Sequence, residues 1–371
     1  MAQAMNDADT VYPEALSIFE KPLQHLGIKQ VRCSTHYPVN DFTTQGVIQF
    51  RIPNNSSAYV DLNRTRLSVT AKIVHKDGTE LKEMSEENGI CGVTQNVLHS
   101  FFARVDVALQ DKILTNSDDS YPYESYIKTL LMTNAMEKQS LQSQGFFQEE
   151  KDIVDYNVKS TTNEAFKQRS ALFQKSKEVD LSGYLCSSIM EIQKLIPNGI
   201  PLSITLYPSS SKFALLSPDT SPDYKIVISK ASLSLCEVYL EPQIAIAHSE
   251  ILSTKPAIFA YNKTEVKKFT LGKGVFSGNI NDPFQGRVPS EVVIGIVSDE
   301  AQNGSFSENP YYFRNAKLNH IGVTVNGQPM GIDPLQPKYG DKSEDGNYVM
   351  AYQTLNGMTG NDLINPIGRL Q

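Results

Sequence analysis

The chain has 371 residues, 40% hydrophobic and 20% charged, enough for two or three domains with full cores and too apolar for a disordered protein. Its net charge of −7 and pI near 5.5 make it a poor general binder of phosphate backbones, so no strong direct nucleic-acid binding is expected. No apolar run approaches the ~18 residues of a membrane span, and Met1 to Asp9 lack the basic and apolar regions of a secretory signal.

Residues 1–30 read as an arm, with Pro13, Pro22 and a short apolar patch but little periodicity. Its large apolar residues Leu16, Ile18, Phe19 and Leu23 are too few for a core, so they are expected to be buried on a neighbouring copy as an assembly arm. From Thr35 the signals become β. Gly46 to Ile52 is a strand closed by Pro53 and the turn cluster Asn54 to Ser57. Leu67, Val69, Ala71 and Ile73 alternate with Ser68, Thr70 and Lys72, a period of two that gives a strand one dry face. Val105, Val107 and Leu109 repeat the pattern, and the charged, glycine-bearing stretch Lys76 to Gly92 is expected to be a hairpin loop between the two.

Tyr121 to Met136 changes period. Tyr123, Ile127, Leu130 and Leu131 recur at three and four, with Pro122 near the start, which predicts a helix. Gln139 to Asn163 is polar and predicts a surface excursion. Val179 to Leu185 and Ile200 to Leu206 return to strand. Ser217 to Asp223, with Pro218 and Pro222, predicts a stiff linker between domains. Beyond it, Tyr224 to Tyr239 predicts a long strand with a bulge near Ala231, and Ile244 to Leu252 a short helix. Lys263 to Leu271, Val292 to Val297, His320 to Val325 and Tyr348 to Tyr352 predict further strands. Val325-Asn326-Gly327 is a hairpin signal, because Asn-Gly readily takes the positive φ of a tight primed turn.

Many short strands between Gly, Pro and Asn turns argue for a mainly β chain, a double jelly roll of two antiparallel β-sandwich domains with short helices in the excursion loops. The expected division is an N-terminal arm at 1–30, a first roll at 31–216, a linker at 217–223 and a second roll at 224–371.

No catalytic set suggests itself. His25, His36, His75, His99, His248 and His320 are scattered without the His-x-His pairing of a metal-binding jelly roll. Cys33, Cys91, Cys186 and Cys236 include no Cys-x-x-Cys, and four thiols without a signal peptide fit a reducing compartment. Gly272 to Gly278 lacks the Gly-Lys-Ser/Thr of a phosphate loop and predicts an ordinary loop. Lys167, Arg169, Lys175 and Lys177 predict a solvated basic face, and Asp118-Asp119 and Glu149-Glu150 solvated loop charges. No catalytic residue, cofactor or metal ligand is therefore assigned. The residues alone leave open a purely structural role and a two-domain β-sandwich attachment or carbohydrate-binding protein. The second would prefer aromatic platforms, and the chain has no Trp.

Several segments in order are similar to the capsid proteins of Polinton/Maverick elements and adintovirus-like viruses. These are Asn96 to Val107 (Asn-Val-Leu-His-Ser-Phe-Phe-Ala-Arg-Val-Asp-Val), Tyr121 to Leu131, Val179 to Leu185, Asn198 to Leu202, Thr264 to Phe269 and Asn309 to Asn315. The resemblance implies a double jelly-roll major capsid protein, a homotrimer that forms a pseudo-hexameric capsomer, and contacts with neighbouring trimers and with a penton or minor capsid protein. It implies a place in the virion, after assembly inside the host cell. The family pattern continues past Gln371 with two more strands, so the second roll is expected to be incomplete within this chain.

Overall fold

The computed structural model describes residues 27–54, 57–82, 91–115, 118–133, 135–149, 154, 156–158, 160–329, 334–339 and 348–357. The assembly-arm residues Leu16, Ile18, Phe19 and Leu23, and His25, lie outside the described residues. The strands in chain order are β1 (Ile28–His36), β2 (Ile48–Ile52), β3 (Tyr59–His75), β4 (Gly92–Val93), β5 (Phe102–Leu109), β6 (Lys112–Ile113), β7 (Val179–Tyr184), β8 (Leu202–Pro208), β9 (Leu215–Leu216), β10 (Tyr224–Leu240), β11 (Thr324–Val325) and β12 (Gln328–Pro329).

Alternation decides which faces meet. In β3 the inward set Leu67, Val69, Ala71 and Ile73 is buried, as are Ile48, Phe50 and Ile52 of β2 and Leu202, Ile204 and Leu206 of β8. Gln49 and Arg51, between the β2 residues, point to solvent. One sheet has the order β1-β10-β3-β7 and the other β2-β8-β5-β6, and every pairing in both is antiparallel. The buried faces of both sheets contribute to a single apolar core, so the two sheets form a sandwich. The fold is mainly β, with antiparallel sheets and short helices in the excursions.

The wiring is that of a jelly roll. Setting aside the two-residue pairs β4–β9 and β11–β12, eight strands remain. The first pairs with the eighth (β1–β10), the second with the seventh (β2–β8), the third with the sixth (β3–β7) and the fourth with the fifth (β5–β6). The chain is thus one long folded hairpin wrapped into two sheets, closed by β10 on β3 and by β8 on β5.

This wiring corrects the boundary expected at 217–223. β10 follows Pro218 and Pro222, yet it lies between β1 and β3 and supplies Ala231, Leu233 and Leu235 to the same core. The linker is a connection within the roll: the Ser217 N–H donates to Phe306 O at 2.7 Å and Lys76 N–H to Asp223 O at 2.6 Å. The roll runs from Ile28 to Leu240. The bulge expected near Ala231 is present, as a register shift between Ile228 and Lys230.

Other expectations change with tertiary context. β3 and β5 lie in different sheets, so they are not the two arms of the hairpin expected there. Within 139–163, Leu141–Gln144 forms a 3-10 turn ending on Gly145 at φ 78°, and Gln144 and Phe146 are buried. The helix expected over 121–136 is observed as Tyr121–Met132 followed by Ala135–Ser140. Pro242–Leu252 is helical with Pro at its start, where the missing N–H costs nothing. Residues 263–271 and 292–297 are not strands: their alternation has no ladder partner, and an unpaired strand leaves its backbone groups unsatisfied. Of 320–325 only Thr324–Val325 is strand, beside an Ile321–Leu335 bridge. Val349–Gly357, expected in part as a strand, is a helix. The Asn-Gly hairpin does form: β11 and β12 pair across Asn326 (φ 51°) and Gly327 (φ 80°).

Candidate assembly surface and the junction behind it

One end of the roll carries a buried polar network. The helices Val97–Ser100 and Tyr121–Met132 pack side by side, and Asn96, in the left-handed conformation, opens the first. Asn96 Nδ2 donates to Ser125 Oγ at 2.9 Å, and Gln144 Nε2 donates to Asn96 Oδ1 at 3.2 Å. His99 Nδ1 lies 2.7 Å from the Tyr121 hydroxyl, which also accepts from the Cys186 N–H at 3.3 Å. Ser100 Oγ donates to Gln95 O at 2.7 Å and sits 2.6 Å from the Tyr311 hydroxyl. Burial holds His99 down at about 4, against a hydrogen bond to Gln144 that raises it. The imidazole is therefore neutral over the ordinary pH range, as a packed polar residue should be.

Tyr311 connects this network to the rest of the chain. Its ring stacks on Tyr126 at 4.3 Å between centroids and meets Tyr123 and Phe213 edge-on at 6.0 and 5.9 Å. Phe313 lies beside Tyr126 at 6.2 Å. Such aromatic pairs contribute about 0.5–1.5 kcal/mol each beyond the area they bury. On the other side, Gly183 of β7 leaves no room for a side chain, since a Cβ there would lie 2.5 Å from Gln144 Oε1 and 3.1 Å from Leu98. Four of the segments that carry the sequence resemblance (Asn96–Val107, Tyr121–Leu131, Val179–Leu185 and Asn309–Asn315) therefore meet at this one junction.

Beyond Leu240 the surface is different. The helix Pro242–Leu252 has no buried residue, and Ile246 (59% exposed), Ile251 and Leu252 face outward. Phe276 is 100% exposed, and Ile258, Leu271, Val288 and Ile294 are exposed as well. The described part of the chain after Leu240 therefore leaves large apolar side chains in solvent.

The remaining candidate sites resolve into structure. Arg169 is no part of a basic face: it is buried, paired with Glu149 and donating through Nε to Val93 O at 2.8 Å. Glu149 is thereby a structural partner and not a solvated loop charge. Lys167 bonds its neighbour Glu164 at 3.1 Å. Asp118 and Asp119 are exposed. His75 pairs with Asp223 at 2.7 Å, His248 with the Tyr59 hydroxyl at 3.1 Å and His36 with Ser34 at 3.0 Å, all apart from one another. Gly272–Gly278 is an exposed loop. Among the described residues no group of three or more His, Cys, Asp or Glu is placed to hold a metal ion, and no helix is long and apolar enough to cross a membrane. A cavity of about 20 Å³ between Tyr121, Glu124, Ser188 and Lys263 has room for one water. Glu124 there is raised by burial, against the pull of Lys128 at 3.2 Å.

Reading the sequence missed the buried partners Gln95, Ser125 and Gln144. The signal available was the polar run Gln95-Asn96 and His99-Ser100 flanking Val97-Leu98, since polar groups set in an apolar run need partners when buried.

No protein-family model matches the sequence. The chain is 22% identical over 339 residues to the uncharacterized protein F54H12.2 of Caenorhabditis elegans, across 88% of this chain and 77% of that protein. Among solved structures it is similar to a chain of the Sputnik virophage, with a TM-score of 0.43 and 12% identity over 65% of this chain and 54% of that one. It is also similar to the Faustovirus major capsid protein (TM-score 0.40, 9% identity, 67% and 58% covered) and to the mavirus major capsid protein (TM-score 0.33, 14% identity, 64% and 53% covered). The chain spans about half the length of these solved chains.

Proposed function

We propose that this chain is a structural capsid protein of the double jelly-roll kind, akin to the capsid proteins of Polinton/Maverick elements and adintovirus-like viruses. In this reading residues 28–240 are the first roll and the chain from 241 onward contributes to the second. Three copies form a pseudo-hexameric tile, and tiles pack with one another and with a penton or minor capsid protein in a virion assembled inside the host cell. The apolar surface carried by Ile246, Ile251 and Phe276 is where copies of the chain meet. The work is structural, and no catalytic step is assigned to it. The arm residues Leu16, Ile18, Phe19 and Leu23 extend the contact to a neighbour.

The observation that carries the reading is the convergence at the junction. Segments that resemble the capsid family, though spread from Asn96 to Asn315, are joined by the Asn96–Ser125, His99–Tyr121 and Ser100–Tyr311 contacts. A chance resemblance would scatter them. The test is negative-stain microscopy of the purified full chain at rising concentration. Trimeric plates or closed shells are expected, whereas dispersed single copies at every concentration would overturn the proposal.

A further inference from the structure

Two thiols far apart in the sequence are brought together by the register of the roll. Cys33 of β1 lies directly opposite Cys236 of β10, and both are reduced. Directly opposed residues of antiparallel strands have Cα atoms about 4.5 or 5.5 Å apart, and both spacings fall within the roughly 4.4–6.8 Å that a disulfide spans. Opposed residues also project to the same face. The Cα spacing is therefore within a disulfide's reach. β1 is an outer strand of its sheet, with β10 as its one ladder partner and nearly every residue exposed or half-buried.

We propose that Cys33 and Cys236 form a reversible disulfide that staples β1 to β10 once the protein leaves a reducing compartment. The two thiols differ in a way that orders the chemistry. Cys33 is exposed, while Cys236 is buried, with Asp61 of β3 opposite it and Arg64 interacting with it. Burial, then Asp61 and Cys33 itself, raise the Cys236 thiol, with Arg64 opposing. Cys33 therefore meets an external oxidant first. With a small disulfide as oxidant, the Cys33 thiolate attacks one sulfur and releases one small thiol, leaving a mixed disulfide. The Cys236 thiolate then attacks the Cys33 sulfur and releases the second small thiol. The protein loses two protons and two electrons, and the small disulfide gains both.

The consequence lies at the edge of the roll. A bond closing a loop of about 200 residues restricts the unfolded chain strongly. It also pins the strand that follows the N-terminal arm. A glutathione-buffered cell interior would keep the pair reduced during folding, and the exterior would oxidise it. The inference is independent of the capsid reading, since the thiols are paired within one chain.

The experiment uses the reduced full chain incubated with oxidised glutathione. Expected are loss of the mass of two hydrogens, a non-reducing peptide map that joins the Cys33 and Cys236 peptides, and a melting temperature several degrees above the reduced form. Cys33→Ser, at an exposed position, should match the reduced wild type in melting temperature and show no rise on oxidation. Cys236→Ser should stop at the glutathione adduct on Cys33. If the wild type also stops at that adduct, forms Cys33–Cys33 dimers, or keeps both thiols free, the proposal is overturned.

Discussion

The roll and the chain that follows it treat apolar residues in opposite ways. Between Ile28 and Leu240, alternating side chains such as Phe50, Val69, Ile204 and Leu233 are sealed between two sheets whose backbones are paired strand to strand. After Leu240 apolar residues remain plentiful, yet Ile246, Ile251 and Phe276 stand in solvent, and the regular strands among the described residues are the short ribbon β11–β12. The difference teaches that hydrophobicity alone does not make a core. A buried face needs a second face, and the roll supplies its own because its eight strands pair end to end. The second region is seated on the roll by Phe306, Tyr311 and Phe313, and in the proposed reading its outward face meets another copy of the chain.

Truncation should expose this contrast most strongly. Phe50→Ala removes a fully buried ring from the roll and should cost about 3–5 kcal/mol in urea denaturation of the dissociated chain. Phe276→Ala should stay within about 0.5 kcal/mol in the same measurement. Equal losses at both sites would erase the distinction between the regions.

Acid should reach the junction before the rest of the roll. His99 is held at about 4 in the folded protein, below its ordinary value of 6.5, so the unfolded chain binds the proton more readily. Its contribution is fully present above 6.5 and is lost as pH falls toward about 4, amounting to about 3 kcal/mol. Glu124 acts in the opposite sense, since a carboxyl raised by burial favours the folded state as it becomes protonated. Melting curves of wild type and His99→Gln across this window sharpen the point: the variant should show a flatter dependence on pH.

A smaller effect is expected at the seam. Tyr311→Phe keeps the stacked ring and removes the hydroxyl that contacts Ser100. Ser100 retains its bonds to Gln95 O and Asn96 O, so the cost should be about 1 kcal/mol. Hydrogen exchange should accelerate at 305–313 and stay unchanged in β3 and β8. Uniform acceleration would mean that the two regions open as one unit.

Most of the roll was legible in the sequence because its signal is local. A period of two at Leu67–Ile73 or Leu202–Leu206 is forced by one dry face, and Asn326-Gly327 needs only its own turn. What could not be read was pairing. Pro218 and Pro222 look like a domain boundary until β10 is seen between β1 and β3, and Lys76–Gly92 looks like a hairpin until its flanking strands fall in different sheets. The same limit hid the Cys33–Cys236 juxtaposition and the partners of His99, which depend on register across distant segments. Residues 263–271 alternate as a strand would, but alternation without a ladder partner specifies only where a strand could form.

The central claim is that the apolar surface beyond Leu240 joins copies of this chain. Sedimentation velocity of the full chain, compared with an Ile246→Ser, Ile251→Ser, Phe276→Ser triple variant, tests it most directly. The account predicts trimers for the wild type at micromolar concentration, and monomers for the variant with an unchanged folded circular-dichroism spectrum. A wild type that stays monomeric throughout, or a variant that associates as strongly as the wild type, would contradict it.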